Sequence, residues 1–327
     1  MAGIKKVSVI GLGLMGTPLA TLLMKAGYQV TGFDIVKKQM SSLVPLGLRA
    51  VNSPKEAAKE ADLIMLSLPT WDAVLQVVEG KDGILESIRK GQIVLDTCTS
   101  PPWESQTLGK RLAKKGVEWM DVPISGSSVM AREGNMVFMV GGKKAIFKKI
   151  KPVLDQIGKK TVYAGRGGTG AALKLAVNHT LYLNQAAAIE GAVLGLKAGI
   201  HPDILFDVIT SGAASSHLFV VRGKDMLNGN FSPKGPVIIA NKDLALSLET
   251  AQKLGVVLPM GALFHQLMLQ AHYNGWDRED STAVIKIYQE LADRRRRIRS
   301  LSRRGNSPKD LRSDGLRRNY QSGFSIF

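Results

Sequence analysis

The sequence predicts an α/β domain built on a parallel sheet, followed by an all-helical domain joined to it through a long helix. Three observations predict it. Apolar, β-rich runs alternate with helical stretches up to residue 164; a proline-free stretch of helical character covers residues 171–198; and every recognisable segment beyond it is helical. The expected division is residues 1–164, residues 165–293, and a remainder at 294–327.

Residues 6–10 (KVSVI) are short, β-rich and run directly into Gly11-Leu12-Gly13-Leu14-Met15-Gly16. Residues 17–26 read as a helix closed by Gly27, and residues 28–33 as a second strand ending at Asp34. G-x-G-x-x-G alone is a weak signal, because glycines recur in turns. Here a strand precedes it, a helix follows it, and an acid lies 23 residues beyond Gly11, which is the Rossmann-type dinucleotide fingerprint. Gly11 serves the tight turn, Gly13 admits the pyrophosphate to the backbone, and Gly16 lets helix and sheet pack closely. The helix N-terminus offers free N–H groups and a positive dipole end to the phosphates. Asp34 reads as the acceptor for ribose hydroxyls and would repel a 2′-phosphate, so NAD is preferred to NADP although Lys37 and Lys38 are near. Its alternative role is to cap a turn.

Apolar runs recur at 63–68 (ending before Pro69), 93–96 (leading into Thr97-Cys98-Thr99-Ser100-Pro101), 119–123 and 136–140. Ligands of an open parallel sheet gather at the carboxyl ends of its strands. That puts Leu68, Pro69, Thr99 and the loop after Asp121 beside a cofactor. Cys98 reads as a small packed residue rather than a nucleophile, since no histidine motif accompanies it.

After Gly165-Arg166-Gly167-Gly168-Thr169-Gly170 the pattern becomes helical, continuing through 203–211, 243–254, 260–274 and 281–292. Lys174 and Asn178 are four apart and share one helix face close to the glycine-rich lead-in. A lysine on an apolar stripe is either a snorkelling side chain or a functional one. A helix this long is expected to form the spine between domains and a surface for a homo-oligomer, dimer or tetramer.

Composition narrows the function classes. The 327 residues are 45% hydrophobic, enough for a substantial core, and no apolar run reaches the roughly 18 residues of a membrane span. No secretory leader is legible, and one cysteine excludes an intramolecular disulfide, so a cytoplasmic protein is expected. Five scattered histidines lack ligand spacing, and no metal is expected. Of the net charge of +17, residues 294–327 carry +9, from ten Arg and one Lys against two Asp. Such a segment reads as a solvated, disordered tail in preference to an electrostatic arm for nucleic acid.

The motifs together resemble one family, the β-hydroxyacid dehydrogenases typified by 3-hydroxyisobutyrate dehydrogenase. Gly11–Gly16 with Asp34 is similar to its cofactor motif, Asp121-Val122-Pro123-Ile124-Ser125-Gly126 to its substrate signature, Gly168-Thr169-Gly170-Ala171-Ala172-Leu173-Lys174 with Asn178 to its catalytic segment, and Asn241-Lys242-Asp243-Leu244 to its later Lys-Asp motif. The four occur in order across residues 6–292. The resemblance implies reversible hydride transfer between NAD and a small hydroxy acid such as 3-hydroxyisobutyrate, or 4-hydroxybutyrate with succinate semialdehyde as its oxidised partner. It implies Lys174 as general acid/base and Asn178 positioning the lysine or the substrate. Ser125, Gly126 and Ser127 hold the substrate carboxylate, Leu68, Pro69 and Thr99 line the cofactor, and Lys242 closes over it.

Two departures are visible. Ser127 stands where the signature usually has a second glycine, which is expected to bring a Cβ and a hydroxyl to the carboxylate loop. Val177 stands where a first asparagine is usual. Two alternatives stay open: an imine reductase-like enzyme, against which Lys174 itself counts, and a non-catalytic nucleic-acid or chromatin binder using the basic tail.

Overall fold

The computed structural model describes residues 3–293. The chain begins with β1 (Lys6–Ile10), α1 (Gly16–Lys25), β2 (Gln29–Phe33), α2 (Lys37–Ser41), β3 (Arg49–Ala50), α3 (Pro54–Lys59), β4 (Leu63–Leu66), α4 (Trp71–Glu79), β5 (Ile93–Asp96), α5 (Pro102–Ala113) and β6 (Glu118–Asp121). It continues through β7 (Ile124–Ser125), α6 (Ser128–Arg132), β8 (Val137–Gly141), α7 (Lys144–Ile157) and β9 (Lys160–Gly165). Then come α8 (Thr169–Lys197), α9 (Pro202–Ser211), α10 (His217–Leu227), α11 (Val237–Leu254) and α12 (Pro259–Tyr273), with residues 285–293 again helical.

The strands lie in the order β3-β2-β1-β4-β5-β6-β8-β7, with β9 on β8. From β3 to β6 all pairings are parallel. The central strands β4 and β5 are buried along their whole length, as a sheet covered on both faces requires. The expected parallel sheet therefore holds over its first six strands and again between β8 and β9; the exception is β8, which runs antiparallel to both β6 and β7. The physical reason is the connection from β7 to β8. It spans eleven residues, 126–136, of which five form α6, short of the dozen or more with a full helix that a parallel crossover takes.

Diagonal backbone bonds stitch the carboxyl ends of the strands into one rim. Gly11 N–H donates to Phe33 O, Ser67 N–H to Ile10 O, Thr97 N–H to Leu66 O, and Val122 N–H to Asp96 O. Two apolar clusters flank the sheet, one under α1 and α7 around Leu19, Leu23 and Leu154, the other under α3 to α5 around Val74, Leu108 and Trp119.

By compactness the described residues form two units: residues 3–186 with 231–281, and residues 187–230 with 282–293. Mixed sequence gives way to all-helical sequence at 164/165, but the first half of α8 belongs with the sheet. It does so because its N-terminus is fastened to the sheet edge, as described below. The second unit has its own packing: Phe206 of α9 stacks on Phe219 of α10 at 5.7 Å between centroids, Lys224 sits 5.0 Å over Phe206, and Gly195 of α8 receives Leu205. There α10, which sequence patterning missed, is opened by Ser216, whose hydroxyl accepts Phe219 N–H. Among the described residues no helix is long and apolar enough to cross a membrane. The basic segment at 294–327 lies outside the described residues.

Backbone encloses Gly170, at the start of α8. A Cβ there would lie 2.6 Å from Met139 O, 2.7 Å from Asp121 O and 2.8 Å from Gly141 N, all backbone atoms. Gly170→Ala is expected to lower unfolding free energy by about 3 kcal/mol in urea titrations; an unchanged midpoint contradicts this packing.

Candidate functional site

The rim is shaped by its glycines. Gly11 has φ +91° and a Cβ there would meet Ser67 O at 2.2 Å, while a Cβ on Gly16 would meet Gly11 O at 1.8 Å. Those two positions are closed by the protein itself. Gly13 differs: it is exposed and a Cβ there meets nothing within 4 Å. Leu12 is buried, Leu14 is exposed, and Met15 precedes α1, whose first N–H groups carry no side-chain cap.

Asp34 takes the capping role considered for it. Its Oδ2 accepts Leu12 N–H and its Oδ1 accepts Val36 N–H, each at 2.7 Å. The carboxylate thereby ties the glycine loop to the end of β2, and each oxygen keeps a further lone pair.

Leu68 and Thr99 are drawn together by Cys98. The Cys98 thiol accepts Leu68 N–H at 3.1 Å and is 3.6 Å from Leu66 O, which also accepts the Thr97 hydroxyl at 2.6 Å. Burial pushes this thiol well above its ordinary value, with Asp96 adding to the push, so it is an inert bridge. Pro69 stands exposed beside the half-buried Leu68.

Asp121 is the joint of the whole site. It is buried at the end of β6 and accepts Gly168 N–H at 2.8 Å through Oδ1 and Ala171 N–H at 2.9 Å through Oδ2. A carboxylate at a helix N-terminus satisfies orphan donors and meets the positive dipole end. Burial nonetheless raises its pKa, with the backbone bonds pulling the other way. Lys174 is then carried one turn into α8.

Lys174 is half-buried, and no described residue accepts a hydrogen bond from its ammonium. Burial pulls its pKa below the ordinary 10.5; the Asp243 carboxylate opposes that and Lys242 adds to it. Asn178 donates to Asp243 Oδ2 at 2.7 Å, and Lys242 bridges Asp243 Oδ1 at 2.7 Å and Thr99 O at 3.4 Å. Asp243 thus gathers Asn178 and Lys242, and it was absent from the sequence-predicted site residues. Its signal was available: it falls on the buried stripe Ala240, Asp243, Leu244, Ser247, Ala251 of α11, where an acid is out of place.

Ser125 ends β7 half-buried, and Gly126 adopts φ +144°. Ser127 departs from the expected intrusion: its Oγ accepts Met130 N–H at 3.3 Å and caps α6. Arg132, the one cation on α6, is exposed. Among the described residues no three His, Cys, Asp or Glu come together as a metal site.

Comparison with known proteins agrees on one lineage. Residues 6–165 match the family model described as the NAD binding domain of 6-phosphogluconate dehydrogenase, and residues 168–288 that described as NAD-binding of NADP-dependent 3-hydroxyisobutyrate dehydrogenase. A 2-(hydroxymethyl)glutarate dehydrogenase from Eubacterium barkeri is 33% identical, over 88% of this chain and 95% of its own. The crystal structure of a 3-hydroxyisobutyrate dehydrogenase from Salmonella typhimurium superposes with a TM-score of 0.81 at 30% identity, over 86% of this chain and 99% of its own. An imine reductase from Myxococcus stipitatus shares the fold at 18% identity and a TM-score of 0.58, over 86% of this chain and 98% of its own.

The lowered pKa of Lys174 has a consequence for stability. The unfolded chain, with an ordinary lysine, holds more protons than the fold, so stability rises with pH between the lowered value and 10.5. Lys174→Met removes the burial cost and is expected to raise the urea midpoint at pH 7; a lower midpoint contradicts the buried ammonium.

Proposed function

The chain belongs to the β-hydroxyacid dehydrogenase family, whose members are NAD(P)-dependent enzymes, and we propose that it interconverts a small hydroxy acid and its carbonyl form with Lys174 as general acid/base. The observation that carries this reading is the Lys174 ammonium, half-buried and accepted by no described side chain, beside a pair of residues, Asn178 and Asp243, that are fixed on each other.

The protein's own residues fit a dinucleotide. Gly13 leaves room for phosphate oxygens, Gly11 to Gly16 (with Leu12, Leu14 and Met15) present the turn and helix end, and Asp34 keeps lone pairs for the ribose. The Asp34 charge favours NAD over NADP. Leu68, Pro69 and Thr99 form the adjoining wall and Lys242 spans from it to α11. NAD, when bound, supplies the acceptor for a hydride from the carbinol carbon.

Lys174 in its neutral form takes the hydroxyl proton as the hydride leaves, and the carbonyl forms; in reduction the ammonium returns that proton to the nascent alkoxide. Ser125 Oγ and the backbone N–H groups at Gly126 and Ser127 hold the carboxylate, with the Ser127 hydroxyl engaged at α6. Asp243 keeps Asn178 and Lys242 in place. Substrates named for relatives, 2-(hydroxymethyl)glutarate and 3-hydroxyisobutyrate, belong to the class proposed here. A reducing compartment such as the cytoplasm suits the lone thiol of Cys98.

A homo-oligomer is also proposed. No residue of α9 is buried although it carries Ile204, Leu205, Phe206, Val208 and Ile209; Ile204 is 59% and Val208 67% exposed. A second copy would cover this face.

Two outcomes are expected. With a panel of hydroxy acids, oxidation rises with pH and levels off below 10.5, and Lys174→Ala lowers kcat by about 10³-fold while retaining NAD binding; full turnover in that variant refutes the role. Ile204→Glu combined with Val208→Glu lowers the mass measured by light scattering; an unchanged mass removes α9 from the interface.

A further inference from the structure

Asp96, at the carboxyl end of β5, has no part in the chemistry above. It is 1% exposed, its Oδ1 accepts Cys98 N–H at 3.1 Å, and its Oδ2 has no hydrogen bond of ordinary geometry; the buried Ser100 hydroxyl of the same loop is near enough to pull the Asp96 pKa down but makes no well-formed bond either. Its register partner on β6 is Asp121, so two buried carboxylates stand side by side at the rim. They are unequal: both oxygens of Asp121 are met by N–H groups of α8, and only one of Asp96 is. A buried carboxylate with a bare oxygen has no reason of stability to be there.

The groups around Asp96 are few. Asp121 faces it from β6, and Cys98 and Ser100 from its own loop; β4 supplies only the Leu66 main chain, and α11 brings Lys242 to the Thr99 carbonyl. Lys242 is already paired with Asp243. No cation neutralises Asp96 among these groups.

We propose that Asp96 is an electrostatic positioning residue whose ionisation sets the preference of this rim for the oxidised over the reduced dinucleotide. The proposal rests on the reading that Leu68 and Thr99, the walls of its loop, line the cofactor. The two cofactor forms differ chiefly by the positive charge of the oxidised ring. An unneutralised carboxylate in a low-dielectric rim attracts that charge and leaves the neutral reduced ring unaffected. Burial raises the Asp96 carboxyl to about 6, with Asp121 adding to the rise, so the charge appears within an accessible pH range. The sign follows: above about pH 6 the carboxylate is ionised and NAD⁺ is favoured, below it the group is neutral and the preference fades.

The test is equilibrium binding without turnover. Dissociation constants for NAD⁺ and NADH are measured by calorimetry from pH 5 to 8 on the full chain. The expected result is a NAD⁺-to-NADH affinity ratio that rises about three- to tenfold across pH 6, and that stays flat at the low value in Asp96→Asn, with NADH affinity unchanged. The control is His179 on α8, whose imidazole burial holds below its ordinary 6.5: a His179→Gln chain keeps the step because the titrating group is Asp96, and loss of the step there overturns the proposal, whether or not Asp96→Asn folds. Equal loss of both affinities in Asp96→Asn assigns it a structural role and overturns the proposal, as does a ratio independent of pH in the native chain. Failure of either dinucleotide to bind refutes instead the cofactor reading on which the proposal stands.

Discussion

The Asp121 carboxylate, held by the N–H groups of Gly168 and Ala171, is the constraint on which the rest of the site depends. It joins the end of β6 to the start of α8 and so fixes which turn of a 29-residue helix lies at the sheet rim. The contact is tight from both sides: a Cβ at Gly141 would lie 2.4 Å from Asp121 Oδ2, and Gly170 is enclosed by backbone. Burial raises the pKa of this carboxylate despite its hydrogen bonds, so it is not retained for stability. What it secures is position, and Lys174 one turn further on inherits that position.

Three loops of the rim are positioned by one device, an acid accepting backbone N–H groups, half-buried at Asp34 and buried at Asp96 and Asp121. Asp34 does it for the glycine loop, Asp96 for the Cys98 loop and Asp121 for α8. A fourth, Asp243, does it with side chains, gathering Asn178 and Lys242. Asp96, Asp121 and Asp243 place carboxylates where water is scarce. The arrangement suits a site that handles a cationic ring and a lysine whose proton comes and goes, because buried charges then act through a low dielectric. Cys98 extends the scheme, linking Leu68 to the β5 loop with an unreactive thiol.

Much of this was legible in the sequence. The fingerprint 11–16 with Asp34, the long helix from about residue 170, and Lys174 with Asn178 on one face all follow from local periodicity and glycine spacing. The reversal of β8 did not, because strand direction depends on how much chain connects two strands rather than on the strands' composition. Nor did the role of Ser127: the sequence shows a hydroxyl at the carboxylate loop, but whether it faces the ligand or caps a helix is decided by the turn that α6 makes. The residues Asp121, Asp96 and Asp243 could be seen, but the partners that give them their roles could not, for a common reason. An acid in a run of apolar residues signals burial, but the neighbours that define these sites, Gly168 and Ala171 for Asp121, Asp121 for Asp96 and Asn178 for Asp243, are 25 or more residues distant and only the assembled rim supplies them.

The most direct measurement is the single-turnover rate of hydride transfer, with NAD⁺ binding measured alongside, in Asp121→Asn. Asparagine is isosteric and offers one acceptor oxygen where two N–H groups need to be met. If Asp121 positions Lys174, NAD⁺ still binds and the rate falls about 10- to 100-fold, since a displacement of about 1 Å carries a penalty of that order. A variant that transfers hydride at the native rate, with the native pH profile, would contradict the account.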